Sequence, residues 1–140
     1  MTAADRIRGG LSVVQPAGWA RPRGYANGIE GRGRVLCVAG QIAWDESAQI
    51  VSDDFVAQFD RALRNVVAVV EAAEGKVHHI ARLTVYVTDL DAYRSQAKAI
   101  GVSYRAIMGK HYPAMALVGV AGLVEPRAQI EIEATAILPE

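Results

Sequence analysis

The chain has 140 residues, with 15 basic and 15 acidic side chains and about half of its residues apolar. That length holds one domain with a modest core, and a cancelled charge excludes general affinity for nucleic acid or for an anionic membrane, because neither could be drawn by so small a field. We expect a single domain over 1–140, with residues 1–10 outside its ordered part.

Arginines 6, 8, 21, 23, 32 and 34 outnumber Asp5 and Glu30 in the first quarter, a local excess that reads as solvated arginines rather than a polyanion site. No N-terminal apolar core of a signal peptide and no membrane-length apolar run is present, so a soluble, unprocessed cytoplasmic protein is expected. The single cysteine, Cys37, lies in the apolar run 34–39 and is expected to be a buried small hydrophobe without a disulfide partner.

Residues 11–15 suit a short strand. The loop after it is punctuated by Pro16, Gly18, Pro22 and Gly24 and carries Trp19 and Tyr25; these aromatics either close off the core or line a ligand cleft. Residues 25–29 and 34–44 suggest a hairpin around Gly31-Arg32-Gly33, and the run from Val35 to Ile42 suggests a central strand covered on both faces. Gly40 within it removes a side chain where another group comes close.

Ser52 is the expected cap of a long helix in which Phe55, Phe59, Ala62, Leu63, Val66, Val67, Val70 and Ala73 recur at helical steps until Gly75. Residues 82–88 alternate as a strand. A second helix is expected to start at Asp89 or Asp91 and to end at Gly109. Tyr112 to Ala136 reads as two strands joined by a short turn at Glu125-Pro126-Arg127, the second alternating strictly, so that Glu131 and Glu133 share one face about 6–7 Å apart. Such a pair could hold a water between its carboxylates; a solvated strand face is the plainer alternative.

The order of elements predicts an α+β domain with a mixed sheet and two helices on one face. Val35, Cys37, Val85 and Leu117 are expected on the other face, where a symmetric homo-oligomer would cover them. Three histidines, two of them adjacent (His78, His79) and the third distant (His111), do not suggest a metal site, and no nucleophile elbow, phosphate-binding loop or zinc-protease motif occurs. Glu131, beside glycine-flanked strands and aromatic loops, is left as the one suggestive group.

Five segments taken together, Val38-Ala39-Gly40-Gln41-Ile42, residues 58–75, Leu83 to Asp89, Tyr112-Pro113-Ala114 and Ile130 to Ala134, resemble the reactive intermediate deaminase A (RidA) family. This family is also known as YjgF/YER057c/UK114 and is often labelled endoribonuclease L-PSP. The resemblance covers nearly the whole chain. It implies a chorismate-mutase-like α+β fold, a homotrimer with a central β-barrel, and clefts between subunits in which enamines or imines are hydrolysed to a 2-oxo acid and ammonia without metal or cofactor.

On this resemblance Glu131 matches the glutamate that helps place the attacking water, Tyr25 the loop tyrosine, and Gly40 the glycine at the cleft floor. Ala114 belongs to the Pro-Ala step, and Met115 stands where the family has the arginine that pins the substrate carboxylate. Gly101 stands where deaminase-type members have an asparagine. The expected site is therefore Glu131 as the catalytic group, with Trp19, Tyr25, Gly40, Ala114 and Met115 around a small metabolite, no metal and no cofactor. With Met115 in place of the arginine, activity on simple 2-imino acids is expected to be weak unless Arg21 or Arg23 supplies the cation. The alternative is a trimeric binding protein that uses the same cleft without turnover. Ribonuclease action fits less well, for want of a basic surface and an acid-base histidine pair.

Overall fold

The computed structural model describes residues 10–140; Asp5, Arg6, Arg8 and the expectation for the first nine residues lie outside them. Strand β1 (Ser12–Val14) pairs antiparallel with β2 (Gly28–Glu30) as a separate two-stranded sheet. Strand β3 (Arg34–Gln41) leads to helix α1 (Phe55–Ala72), and strand β4 (Ile80–Val87) leads to helices α2 (Leu90–Ser95) and α3 (Ala97–Met108). Strands β5 (Ala114–Gly119) and β6 (Ile130–Leu138) complete a four-stranded sheet of order β3-β6-β4-β5. The sheet is mixed, because β4 and β5 run parallel while β6 is antiparallel to both of its neighbours. A parallel pair needs a long crossover, and α2 and α3 supply it.

Helix α1 is capped two residues later than the sequence suggests: Asp54, not Ser52, accepts from Ala57 N at 2.9 Å, while Ser52 Oγ accepts from Asp54 N. Its apolar stripe (Phe55, Phe59, Ala62, Leu63, Val66, Val70) is buried against the sheet, each larger side chain contributing about 1.5–3 kcal/mol relative to exposure. Gln58 on the same stripe is fully buried and fully bonded. Its amide donates to Ser52 O and Arg127 O, and its oxygen accepts from Gln129 N, so the start of α1 is tied to the segment that enters β6. The second helical run begins at Asp89, which caps through Ala92 N, but breaks at Gln96 into two helices; Gly109, at φ 64°, ends it.

Four expectations are corrected. The segment 28–30 pairs with β1 and not with β3, because glycine-rich residues 31–33 let the chain leave the sheet rather than reverse along it. Strand β3 is an edge strand covered on one face, so Cys37 is exposed, paired across from Thr135 on the uncovered face. Strands β5 and β6 are not joined as a hairpin, since β4 lies between them. Val85 and Leu117 pair with one another under the helices, Val85 being buried, whereas the open face carries Val35 (67% exposed) and Val118 (42% exposed). Alternation tells which residues share a face, but pairing decides which face is covered.

Among the described residues no helix is long and apolar enough to cross a membrane.

Candidate functional site

The sheet separates the expected site residues onto two faces. On the open face, Tyr86 lies opposite Glu131 and Thr84 opposite Glu133 across the β4–β6 ladder. The Tyr86 hydroxyl donates to Glu133 Oε1 at 2.7 Å, and this bond to an anion, with some desolvation and the charge of Glu131, raises the tyrosine pKa. Glu131 is half-buried and lies directly over Gly40. A Cβ built on Gly40 would sit 2.5 Å from Glu131 Oε1 and 2.7 Å from its Cδ. Gly40 does not have a positive φ, so the close approach of the carboxylate, not the backbone conformation, accounts for glycine here.

The pairing puts Leu83 opposite Met115 and Val85 opposite both Leu117 and Ile132, which places Met115 on the helix-covered face, away from Glu131. There Met115 lines a cavity of about 260 Å³ between the helices and the sheet, whose walls include Phe59, Tyr93, Ile100, Gly101, Arg105 and Tyr112. Ala114 is half-buried on the open face and bridges to Ala26, whose N–H donates to Pro113 O at 3.0 Å. The loop 16–27 is thereby fixed beside β5.

That loop is braced internally, since Gln15 donates to Ala20 O and accepts from Asn27. Trp19 (63% exposed) and Tyr25 do not close off the core. They line a wide, open depression together with Arg21, Arg23, Lys110 and Tyr112. Arg21 and Arg23 thus border the depression next to Met115's cavity and not the cavity itself, although Gly24 and Tyr112 border both. Glu131 borders neither. Within one chain, therefore, Glu131 and Gly40 come together, Trp19 and Tyr25 come together, and Met115 joins neither pair.

Two histidines, His79 and His111, are buried, and His111 lines the basic depression. His79 Nδ1 accepts from Lys76 N at 2.9 Å, and His111 Nε2 lies 2.7 Å from Ile80 O and donates to it. Burial lowers both pKa values. The backbone thus occupies one nitrogen on each ring. Among the described residues no group of three or more His, Cys, Asp or Glu is arranged to hold a metal ion.

Arg105 escapes the sequence reading because an arginine on an exposed helical position looks like any solvated cation. The available signal was Gly101, one helical turn before it: a glycine inside a helix marks a place where something needs the room.

The profile of the endoribonuclease L-PSP family matches residues 19–138. A 2-iminobutanoate/2-iminopropanoate deaminase of Salmonella typhimurium is 36% identical over 116 residues, which is 81% of this chain and 86% of that protein. The crystal structure of YyfB, a Rid-family protein of Yersinia pestis, superposes with a TM-score of 0.82 at 30% identity, covering 92% of this chain and 99% of that one. Escherichia coli TdcF with bound serine superposes with a TM-score of 0.65 at 28% identity, covering 90% and 98%.

Proposed function

The chain belongs to the endoribonuclease L-PSP family, which includes the RidA proteins, and on that premise we propose that it is a cofactor-independent deaminase that hydrolyses small enamines or imines to a carbonyl compound and ammonia. The observation that carries the proposal is the Glu131 carboxylate lying over Gly40, an acceptor on an inner strand of the sheet. Glu131 orients a water for attack on the C=N carbon. Addition of water gives a carbinolamine, and its collapse forms the C=O bond and releases NH3. Tyr25, Trp19, Ala114 and backbone around Gly40 border the path of the ligand in this reading. Positioning of this kind accounts for rate without a metal or a covalent intermediate.

The specificity is atypical in this proposal, because Met115 offers no charge to an anionic substrate and adds to the apolar lining of its cavity. The homotrimer, with the open faces of three sheets forming a barrel and the clefts lying between subunits, belongs to the same proposal, as does a cytoplasmic setting. Exposed Val35 and Val118 and exposed Cys37 on that face support it. Light scattering at the mass of one chain would sink the trimer.

Imines generated in place by an amino-acid oxidase, followed by ammonia release above the spontaneous rate, test the activity. Turnover by the wild type that is lost in Glu131→Ala supports the deaminase. Ligand binding with no turnover in either protein assigns the chain to the binding modules instead.

A further inference from the structure

Among the described residues, Arg105 is the single charged one lining the cavity of about 260 Å³ between the helices and the sheet. Four other arginines (Arg61, Arg64, Arg94, Arg127) have carboxylate partners, whereas Arg105 has no acidic partner among the described residues. Its guanidinium lies over Gly101, one turn earlier, and a Cβ on Gly101 would come within 3.1 Å of Nη1. The glycine costs α3 about 1 kcal/mol relative to alanine. The space it leaves is filled by the guanidinium at the cavity wall. Beneath that charge the walls are mainly apolar, from Leu63, Val85 and Ile132 and the rings of Phe59, Tyr93 and Tyr112.

One cation over an apolar pit is the complement of one kind of molecule, an anion at one end and a branched hydrocarbon at the other. Pockets for drug-sized ligands have volumes of about 300–1,000 Å³, so this smaller cavity suits a molecule of amino-acid size. Gly101 and Met115, where the chain departs from the pattern that it otherwise resembles, line the same wall as Arg105. The cation missing at Met115 is thus offset by one from α3, at the outer edge of the pocket rather than on the strand.

We propose that Arg105 and this cavity bind the carboxylate and the side chain of a 2-imino acid with an apolar side chain larger than methyl or ethyl. The guanidinium takes the carboxylate in a paired, charge-assisted contact, and the hydrocarbon enters between α3 and the sheet. This deepens the deaminase proposal by naming its substrate class, and it rests on that proposal for the imine but not for the binding site.

The test therefore reads binding rather than turnover. Stable 2-oxo acids serve as probes in calorimetry: 4-methyl-2-oxopentanoate, 2-oxopropanoate, and 4-methyl-2-oxopentanamide as the uncharged control. We expect the wild type to bind 4-methyl-2-oxopentanoate at least about tenfold more tightly than 2-oxopropanoate, the difference that two or three buried carbons supply. Arg105→Gln, on an exposed helical position that leaves the core untouched, should weaken the branched acid by about tenfold to a hundredfold and leave the amide unchanged; Arg105→Lys should recover part of the loss. Equal affinity in wild type and Arg105→Gln, or no binding of 4-methyl-2-oxopentanoate by the wild type, overturns the site. Binding that follows the expected pattern in a protein that releases no ammonia keeps the site and sinks the deaminase. Hydrolysis of the corresponding imine that is unaltered by Arg105→Gln does the reverse.

Discussion

Gly40→Ala isolates the contribution of the Glu131 position with a single methyl group. The new Cβ would sit 2.5 Å from Oε1, 2.7 Å from Cδ and 2.9 Å from Cγ of Glu131, and non-bonded atoms rest at about 3.5 Å, so the carboxylate must retreat by about 1 Å. Because Gly40 does not have a positive φ, alanine adds no backbone strain of the left-handed kind, and the half-buried Glu131 has room to rotate toward the open face. The stability cost should stay near 1 kcal/mol, within the range of mild overpacking. The catalytic cost should be larger. A displacement of 1 Å costs on the order of a hundredfold in a positioned reaction, or about 2.7 kcal/mol of barrier. The assay is ammonia release from oxidase-generated imine, with Gly40→Ala, Glu131→Ala and the double variant compared as a cycle. If Glu131 is the group through which the methyl acts, the double variant should be no slower than Glu131→Ala alone. Full activity in Gly40→Ala, or losses that simply multiply, would refute the role assigned to Glu131.

Gln58→Leu should lower the unfolding free energy by about 3 kcal/mol, since it strands the N–H of Gln129 and removes both donations to carbonyls; urea denaturation showing a change below about 1 kcal/mol would contradict this. His79 and His111 have depressed folded pKa values, so the unfolded chain takes up protons first. Their contribution to stability is fully present above the unfolded value near 6.5 and is lost as the pH falls from there through the folded values; a pH titration of the melting temperature should show this fall, reduced in His111→Gln. Met115→Arg should raise turnover of 2-iminopropanoate and 2-iminobutanoate and, by filling the cavity, lower that of imines with longer side chains; no change in either would show that Met115 does not face the substrate. If the site is shared between subunits, co-refolding equal amounts of Glu131→Ala and Arg105→Gln should restore about a quarter of wild-type activity, the random fraction of interfaces in which both intact residues meet. No recovery would place both groups in one chain's site.

Periodicity made α1, β4 and β6 legible, and the glycine in β3 announced a close approach before the approaching group was known. Pairing was harder to read. Nothing in residues 28–30 distinguishes β1 from β3 as their partner, and the contiguous reading of residues 112–136 missed that β4 enters between the two strands. This one insertion explains the misplacement of Val85 and Leu117: a strand's two faces are written in its sequence, but which of them meets the helices depends on neighbours far along the chain. The site was legible where a residue's role is local, as for Gly40 under Glu131. It was not legible for Arg105, whose proposed role depends on an empty volume bounded by six different elements.

The division of the site between two faces also constrains how any hydrolysis could work. Glu131 stands on the open face with Tyr86 and Glu133, whereas Met115 and Arg105 border a cavity on the other side of the same sheet. A sheet and the side chains packed on it are about 10 Å thick, more than a 2-imino acid can span while its carboxylate is paired with a guanidinium. A substrate held at Arg105 therefore cannot present its imine carbon to the Glu131 of the same chain. Its water must be placed by a group from another subunit or from the loop carrying Trp19 and Tyr25, whose Gly24 lines the cavity rim. That loop, residues 16–27, carries no carboxylate and no imidazole that could serve as the base. A carboxylate from a neighbouring copy would be the better base, so the proposed hydrolysis would require association in a way that the proposed binding at Arg105 does not.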